Sequence, residues 1–124
     1  MAISRRQLTK ATPWNEARKQ IEQTIKVGTD VNTENSTYRV VQQVDQTNGI
    51  IVPKSQNGNI TIRWEMLKEC YEPIASGREY TSQYFKDKYP KEARNATCYP
   101  HTVGQIFVKA GLAIQTTNNT YKRP

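Results

Sequence analysis

Apolar residues recur with two different periods along this chain, and each change of period marks an element. From Trp14 the apolar positions run Trp14, Ala17, Ile21 and Ile25, one face of a helix with 3.6 residues per turn. Glu16, Arg18, Lys19, Glu22 and Lys26 take the opposite side. Thr12 offers an N-cap, Pro13 suits the first helical position because its missing N–H is harmless there, and Gly28 can close the last turn. The pattern predicts a helix over 13–27.

Between residues 38 and 64 the period drops to two. Asn48-Gly49 and Asn57-Gly58 interrupt β-branched runs, and Asn-Gly is the pair that two-residue type I′ turns prefer. Turns at both pairs predict strands near 38–45, 50–55 and 59–64. They set Val44 opposite Pro53, Ile51 opposite Trp64 and Pro53 opposite Ile62. That register gathers Tyr38, Val40, Val44, Ile51, Pro53, Ile60, Ile62 and Trp64 on one apolar face. It leaves Arg39, Gln43, Asp45, Lys54, Thr61 and Arg63 on the other, with Val41, Ile50 and Val52 among them.

Helical spacing then returns. Met66, Leu67, Cys70, Tyr71 and Ile74 form a stripe that Pro73 should end or kink and Gly77 should stop. Thr81 or Ser82 can cap a short helix reaching about Lys88, which Pro90 ends, and residues 91–98 fit no single element. Pro100 opens a last helix whose apolar face is Val103, Ile106, Phe107 and Ala110, with Gly111 as its cap. Leu112, Ala113 and Ile114 suggest a short edge strand. Residues 1–11 read as a basic arm and 115–124 as a polar tail. The expected architecture is a single α+β domain over 1–124, with an ordered core of about 12–114. A three-stranded antiparallel meander carries the N-terminal helix and the C-terminal helices on its apolar face. Trp14, Tyr38, Trp64, Leu67, Tyr71, Ile106 and Phe107 are its expected core.

Composition narrows the function classes. A chain of 124 residues suits one domain, and 35% apolar residues is on the low side for a globular one. Eighteen basic against eleven acidic side chains give a formal charge of +7, which favours an anionic partner. The excess lies in 1–26 and in 100–124, the latter carrying three basic residues and no acid. No apolar leader follows Met1 and no apolar run is long enough to span a membrane, so a soluble cytoplasmic protein with reduced thiols and no membrane partner is expected. In that setting the four Asn-x-Ser/Thr triplets, at Asn35, Asn59, Asn95 and Asn118, reflect an Asn- and Thr-rich composition and not glycan sites.

Opposite the apolar stripe of the last helix lie His101, Thr102, Gln105 and Lys109, residue types that read base edges and phosphates. With the short helix before it, the segment 81–111 resembles a helix-turn-helix in a generic way. Its connecting loop is longer than a tight turn, and helix, three strands, three helices is not the usual winged-helix order. A solvated amphipathic face is the plainer account of the same residues. Tyr80, Tyr84, Tyr89 and Tyr99 lie among basic residues and could stack on bases, or could be half-buried core. Cys98-x-x-His101 with Cys70 falls short of the roughly four ligands that zinc takes, so no metal, cofactor or catalytic group is expected.

The leading expectation is a non-catalytic nucleic-acid-binding protein. It would use a basic surface, the arm residues Arg5 and Arg6, and His101, Thr102, Gln105 and Lys109. The alternative is a protein-interaction or homo-oligomerisation module using the outer sheet face. A small-ligand binder or enzyme comes third and requires a pocket with aromatic lining and convergent polar groups.

Overall fold

The computed structural model describes residues 12–31, 40–53 and 58–124. In chain order the elements are α1 (Trp14–Thr24), β1 (Gln43–Asp45), β2 (Gly49–Pro53), β3 (Asn59–Ile62) and α2 (Trp64–Ala75). They continue with β4 (Glu79–Thr81), α3 (Ser82–Lys88), α4 (Pro90–Asn95), α5 (Tyr99–Lys109), β5 (Ile114–Thr117) and β6 (Thr120–Lys122). The class is α+β, with two antiparallel three-stranded sheets among the described residues, ordered β1-β2-β3 and β4-β6-β5.

The meander forms, but its register is displaced by three positions at both hairpins. Val44 lies opposite Ile50 rather than Pro53, Ile51 opposite Thr61 rather than Trp64, and Pro53 opposite Asn59 rather than Ile62. The first loop is the three-residue stretch 46–48, closed by Asp45 and Gly49. The Asp45 carboxylate accepts the backbone N–H groups of Thr47 (2.7 Å) and Asn48 (3.0 Å), which stabilises this longer loop over a two-residue turn. Gly49 has φ +129°, and a β-carbon there would run into the Ile62 carbonyl, so the glycine is needed one step later than an Asn-Gly turn would place it.

An odd displacement reverses a strand's faces. Ile50 and Val52 are therefore buried, while Ile51 and Pro53 turn to the half-exposed outer side with Gln43 and Thr61. Ile60 and Ile62 point inward as expected. Trp64 is buried as well, but as the first residue of α2, where its indole N–H donates to the Asp45 carbonyl at 2.8 Å. Val41 also goes inside and Val40 outside, the reverse of the expected siding. Tyr38, Arg39, Lys54 and the Asn57 half of the second Asn-Gly pair lie outside the described residues.

The helices follow their stripes. Helix α1 buries Ala17 and Ile21, with Ile25 beyond its end, and α2 buries Met66, Leu67, Cys70, Tyr71 and Ile74. Pro73 does not end α2, because it sits in the last turn and removes only the hydrogen bond to the Glu69 carbonyl. That carbonyl accepts the Tyr84 hydroxyl instead, at 3.1 Å. Thr81 caps α3 as expected, its side-chain oxygen accepting the Tyr84 N–H at 3.0 Å. Pro90 closes α3 and also opens α4, so the segment that fitted no single element contains a short helix.

The polar tail is a further correction. Residues 114–117 and 120–122 form a hairpin, and β6 inserts between β4 and β5. Tyr121 is the anchor: its ring is buried beside Tyr80, with centroids 5.8 Å apart. Tyr80 in turn meets Phe107 edge-on at 6.0 Å and donates its hydroxyl to the Pro100 carbonyl at 2.7 Å. Polar composition concealed this hairpin because every β5 side chain is exposed and only one residue of β6 needs the core.

Candidate nucleic-acid interface

Helix α5 is held on three sides. At its start the Tyr99 hydroxyl donates to the Thr61 carbonyl of β3 (3.2 Å). At its end the Gln20 amide of α1 donates to the Ala110 carbonyl (2.6 Å). Along its flank Gly104 lies flat against the Tyr121 ring. Contacts with such distant stretches of chain decide which polar side chains of α5 reach solvent, and helical spacing alone does not contain them.

The consequence for the expected reading face is a correction. Thr102 is fully buried, and its hydroxyl has no hydrogen-bond partner. Gln105 is buried too, its amide donating to the Gln115 side chain at 3.0 Å, with the Tyr121 hydroxyl at 3.5 Å. Neither projects toward a partner. His101 is half-buried, and Lys109, in the last turn, is exposed. Arg5 and Arg6 lie outside the described residues.

Other cations stand free of the core on the C-terminal elements. Lys86 and Lys88 on α3, Lys91 and Arg94 on α4, and Lys122 on β6 are exposed. Glu92 is the last acidic residue of the chain, and it is engaged by the Arg63 guanidinium at 3.2 Å. Both strands of the β5–β6 hairpin, and the tip at Asn118 and Asn119, carry mostly exposed polar side chains. The tyrosines do not offer a stacking platform. Tyr80 and Tyr99 are buried, Tyr99 stacking on Phe85 at 5.5 Å, while Tyr84 and Tyr89 are half-buried.

A cleft of about 580 Å³ lies on the outer side of the first sheet. Thr47, Asn48, Ile51, Asn59, Thr61 and Arg63 supply the sheet side. Trp64 and Glu65 come from α2, Asn95 from α4 and Tyr99 from α5. Sequence reasoning missed this site, since Asn48 carries the signal of a turn residue, Ile51 and Thr61 meet only through the displaced register, and Asn95 comes from a distant helix.

Cys70 and Cys98 are both buried and form no disulfide. Burial pushes the Cys70 thiol far above the ordinary thiol range, with the Glu69 carboxylate adding to the shift. Among the described residues no three His, Cys, Asp or Glu side chains come together as a metal site would need. Nor is any described helix long and apolar enough to cross a membrane. No protein-family model, no curated protein and no solved structure matches this chain.

Proposed function

We propose that the protein is a non-catalytic nucleic-acid-binding protein whose binding unit is its C-terminal half. The observation that carries this reading is connectivity. Residues 64–122 run helix, strand, helix pair, helix, strand, strand, and the last strand lies in the middle of its sheet. With α3 and α4 counted as one broken helix, this order resembles that of a winged helix-turn-helix, with α5 in the place of the reading helix and the β5–β6 hairpin as the wing. From residue 93 to the end the chain carries Arg94, Lys109, Lys122 and Arg123 and no acid, which supports an electrostatic attraction to phosphates.

The buried state of Thr102 and Gln105 alters how such a unit would work. With those two inside, little of α5 can enter a groove, and contact falls to Lys109, the rim of His101, the hairpin and the cations of α3 and α4. Binding of this kind follows the backbone and is weakly sequence-specific. The test is a salt titration against duplex DNA, single strands and RNA. Affinity should fall linearly on logarithmic axes, and Lys109→Ala or Lys122→Ala should each reduce the slope by about 1 without changing sequence preference. Absence of salt-sensitive binding to any of the three at low salt overturns the reading. A mass in light scattering that rises with concentration would then favour an interaction module.

A further inference from the structure

Of the eleven residues of α5 only Lys109 is exposed, so the helix that stands in the reading position has almost nothing to present to a groove. The β5–β6 hairpin beside it is the opposite case. All four residues of β5 are exposed, and so are Asn118 and Asn119 at the tip. The bond from the Gln105 amide to the Gln115 side chain closes α5 and fixes the hairpin at the same time.

The tip is held in place before any partner arrives. The Asn119 carbonyl accepts the N–H of Ser82, the first residue of α3, at 3.0 Å. The Asn119 N–H donates to the Thr117 hydroxyl at 3.2 Å, and the Asn118 carbonyl accepts the Gln115 amide at 3.5 Å. These bonds run through backbone atoms of the two asparagines. A tip fixed in this way loses little conformational entropy on binding.

Exposed cations flank the tip. Lys86 lies one turn along α3 from Ser82, about 5 Å of helix axis. Lys122 lies three residues beyond Asn119, about 10 Å of strand. Asp87 and Glu79 are the acids beside these two. Asp87 accepts the Gln83 amide at 2.9 Å, and Glu79 stands opposite Lys122 across β4 and β6. The hairpin itself carries no acid, and the undescribed residues bring Arg5, Arg6, Lys10, Arg39 and Lys54 against Glu34. An uncharged tip between cations on this scale fits the minor groove of B-form DNA, about 6 Å wide with a row of phosphates on each side. A single strand fits less well, because such strands are held by stacking on aromatic rings, and among the described residues no aromatic side chain is exposed.

We propose that the hairpin tip, and not α5, is the element that enters a groove of duplex DNA. Asn118 and Asn119 would meet base edges in the minor groove, with Lys86 and Lys122 on the phosphates to either side. This rests on the nucleic-acid reading above and names its partner and its reading element. The minor groove offers acceptors at every pair and adds a protruding amino group only at G·C. The tip should therefore prefer A·T to G·C without telling A·T from T·A.

The experiment measures binding of the full chain to three duplex DNAs of equal length. One is A·T-rich, one is G·C-rich, and the third is the G·C-rich sequence with inosine for every guanine. Inosine lacks the guanine amino group, so its pair with cytosine resembles A·T in the minor groove and G·C in the major groove. The A·T and inosine duplexes should bind alike, and the G·C duplex about fivefold more weakly or worse. Asn118→Ala combined with Asn119→Ala should abolish that preference with an unchanged Tm and salt slope. Neither position has a positive φ, so alanine adds no backbone strain there. Lys86→Ala should reduce the salt slope by about 1 and keep the preference. An inosine duplex that binds like G·C overturns the proposal, because it places the reader in the major groove. So do equal binding of all three duplexes, a preference that survives the double variant, and tighter binding to double-stranded RNA, whose minor groove is wide and shallow. The comparison of duplexes uses the unaltered chain and holds even if the double variant unfolds. Salt-sensitive binding without any such preference removes this proposal alone, whereas absence of salt-sensitive binding removes the nucleic-acid reading with it.

Discussion

Gly104 of α5 lies so close to the ring of Tyr121 in β6 that a β-carbon at position 104 would overlap it. The Tyr121 ring is itself buried against Tyr80 and has no space into which to retreat. An ordinary Gly→Ala change inside a helix gains up to about 1 kcal/mol from propensity. Here overpacking wins, and Gly104→Ala should lower stability by about 1–3 kcal/mol in chemical denaturation. Tyr121→Ala in the same background should relieve the clash, so the double variant should be more stable than the two single losses added together.

The displaced register separates two adjacent isoleucines. Ile50 is fully buried, whereas Ile51 is half-buried on the outer side. Ile50→Ala should cost about 2–5 kcal/mol. Ile51→Ala should cost about 1 kcal/mol or less. Equal losses, or a larger loss at Ile51, would restore the two-residue turns.

Asp45 ties the first hairpin to pH. The backbone N–H groups of Asn48 and then Thr47 hold its carboxyl below the ordinary carboxylate value. A value lowered by folding adds stability above the unfolded pKa, and that stability is lost as pH falls through the folded one. Asp45→Ala should therefore be less stable than the parent at neutral pH, with the gap narrowing in acid. Urea denaturation across that interval checks it, and a gap independent of pH would contradict it.

Cys70 should be inert. It is fully buried, and its thiol is pushed strongly upward by desolvation, so little thiolate forms at neutral pH. Alkylation of the native protein followed by peptide mapping should leave Cys70 unmodified. The same treatment in denaturant should modify it completely.

Helices proved more legible than strands. In α1, α2 and α5 the apolar positions recur every three or four residues, and one spacing fits one face, as Ala17, Ile21, Phe107 and Ala110 illustrate. In β2 three apolar residues follow one another, Ile50, Ile51 and Val52, so either siding buries something apolar and the loop decides. The loop was decided by the Asp45 carboxylate, a local hydrogen-bonding effect that outweighed the preference of Asn48-Gly49 for a tight turn. The polar face of α5 was visible as composition, but the fate of Gln105 depended on Gln115, in a stretch whose polarity resembled a tail. Asn59 and Asn95 stood out in the sequence only as members of Asn-x-Ser/Thr triplets, and nothing there placed them together, because 36 positions separate two residues that share one cleft.

The packing of α1 on α5 also bears on how the chain matures during synthesis. Gln20 near the start finds its acceptor, the Ala110 carbonyl, 90 positions further along. Tyr71 donates to the Thr12 carbonyl across 59 positions. A ribosome adds roughly 5–20 residues each second, so the first helix waits several seconds before α5 leaves the exit tunnel. During that interval Ala17 and Ile21 lack their final neighbour, and the apolar stripe of α1 stays uncovered on that side until α5 has been made.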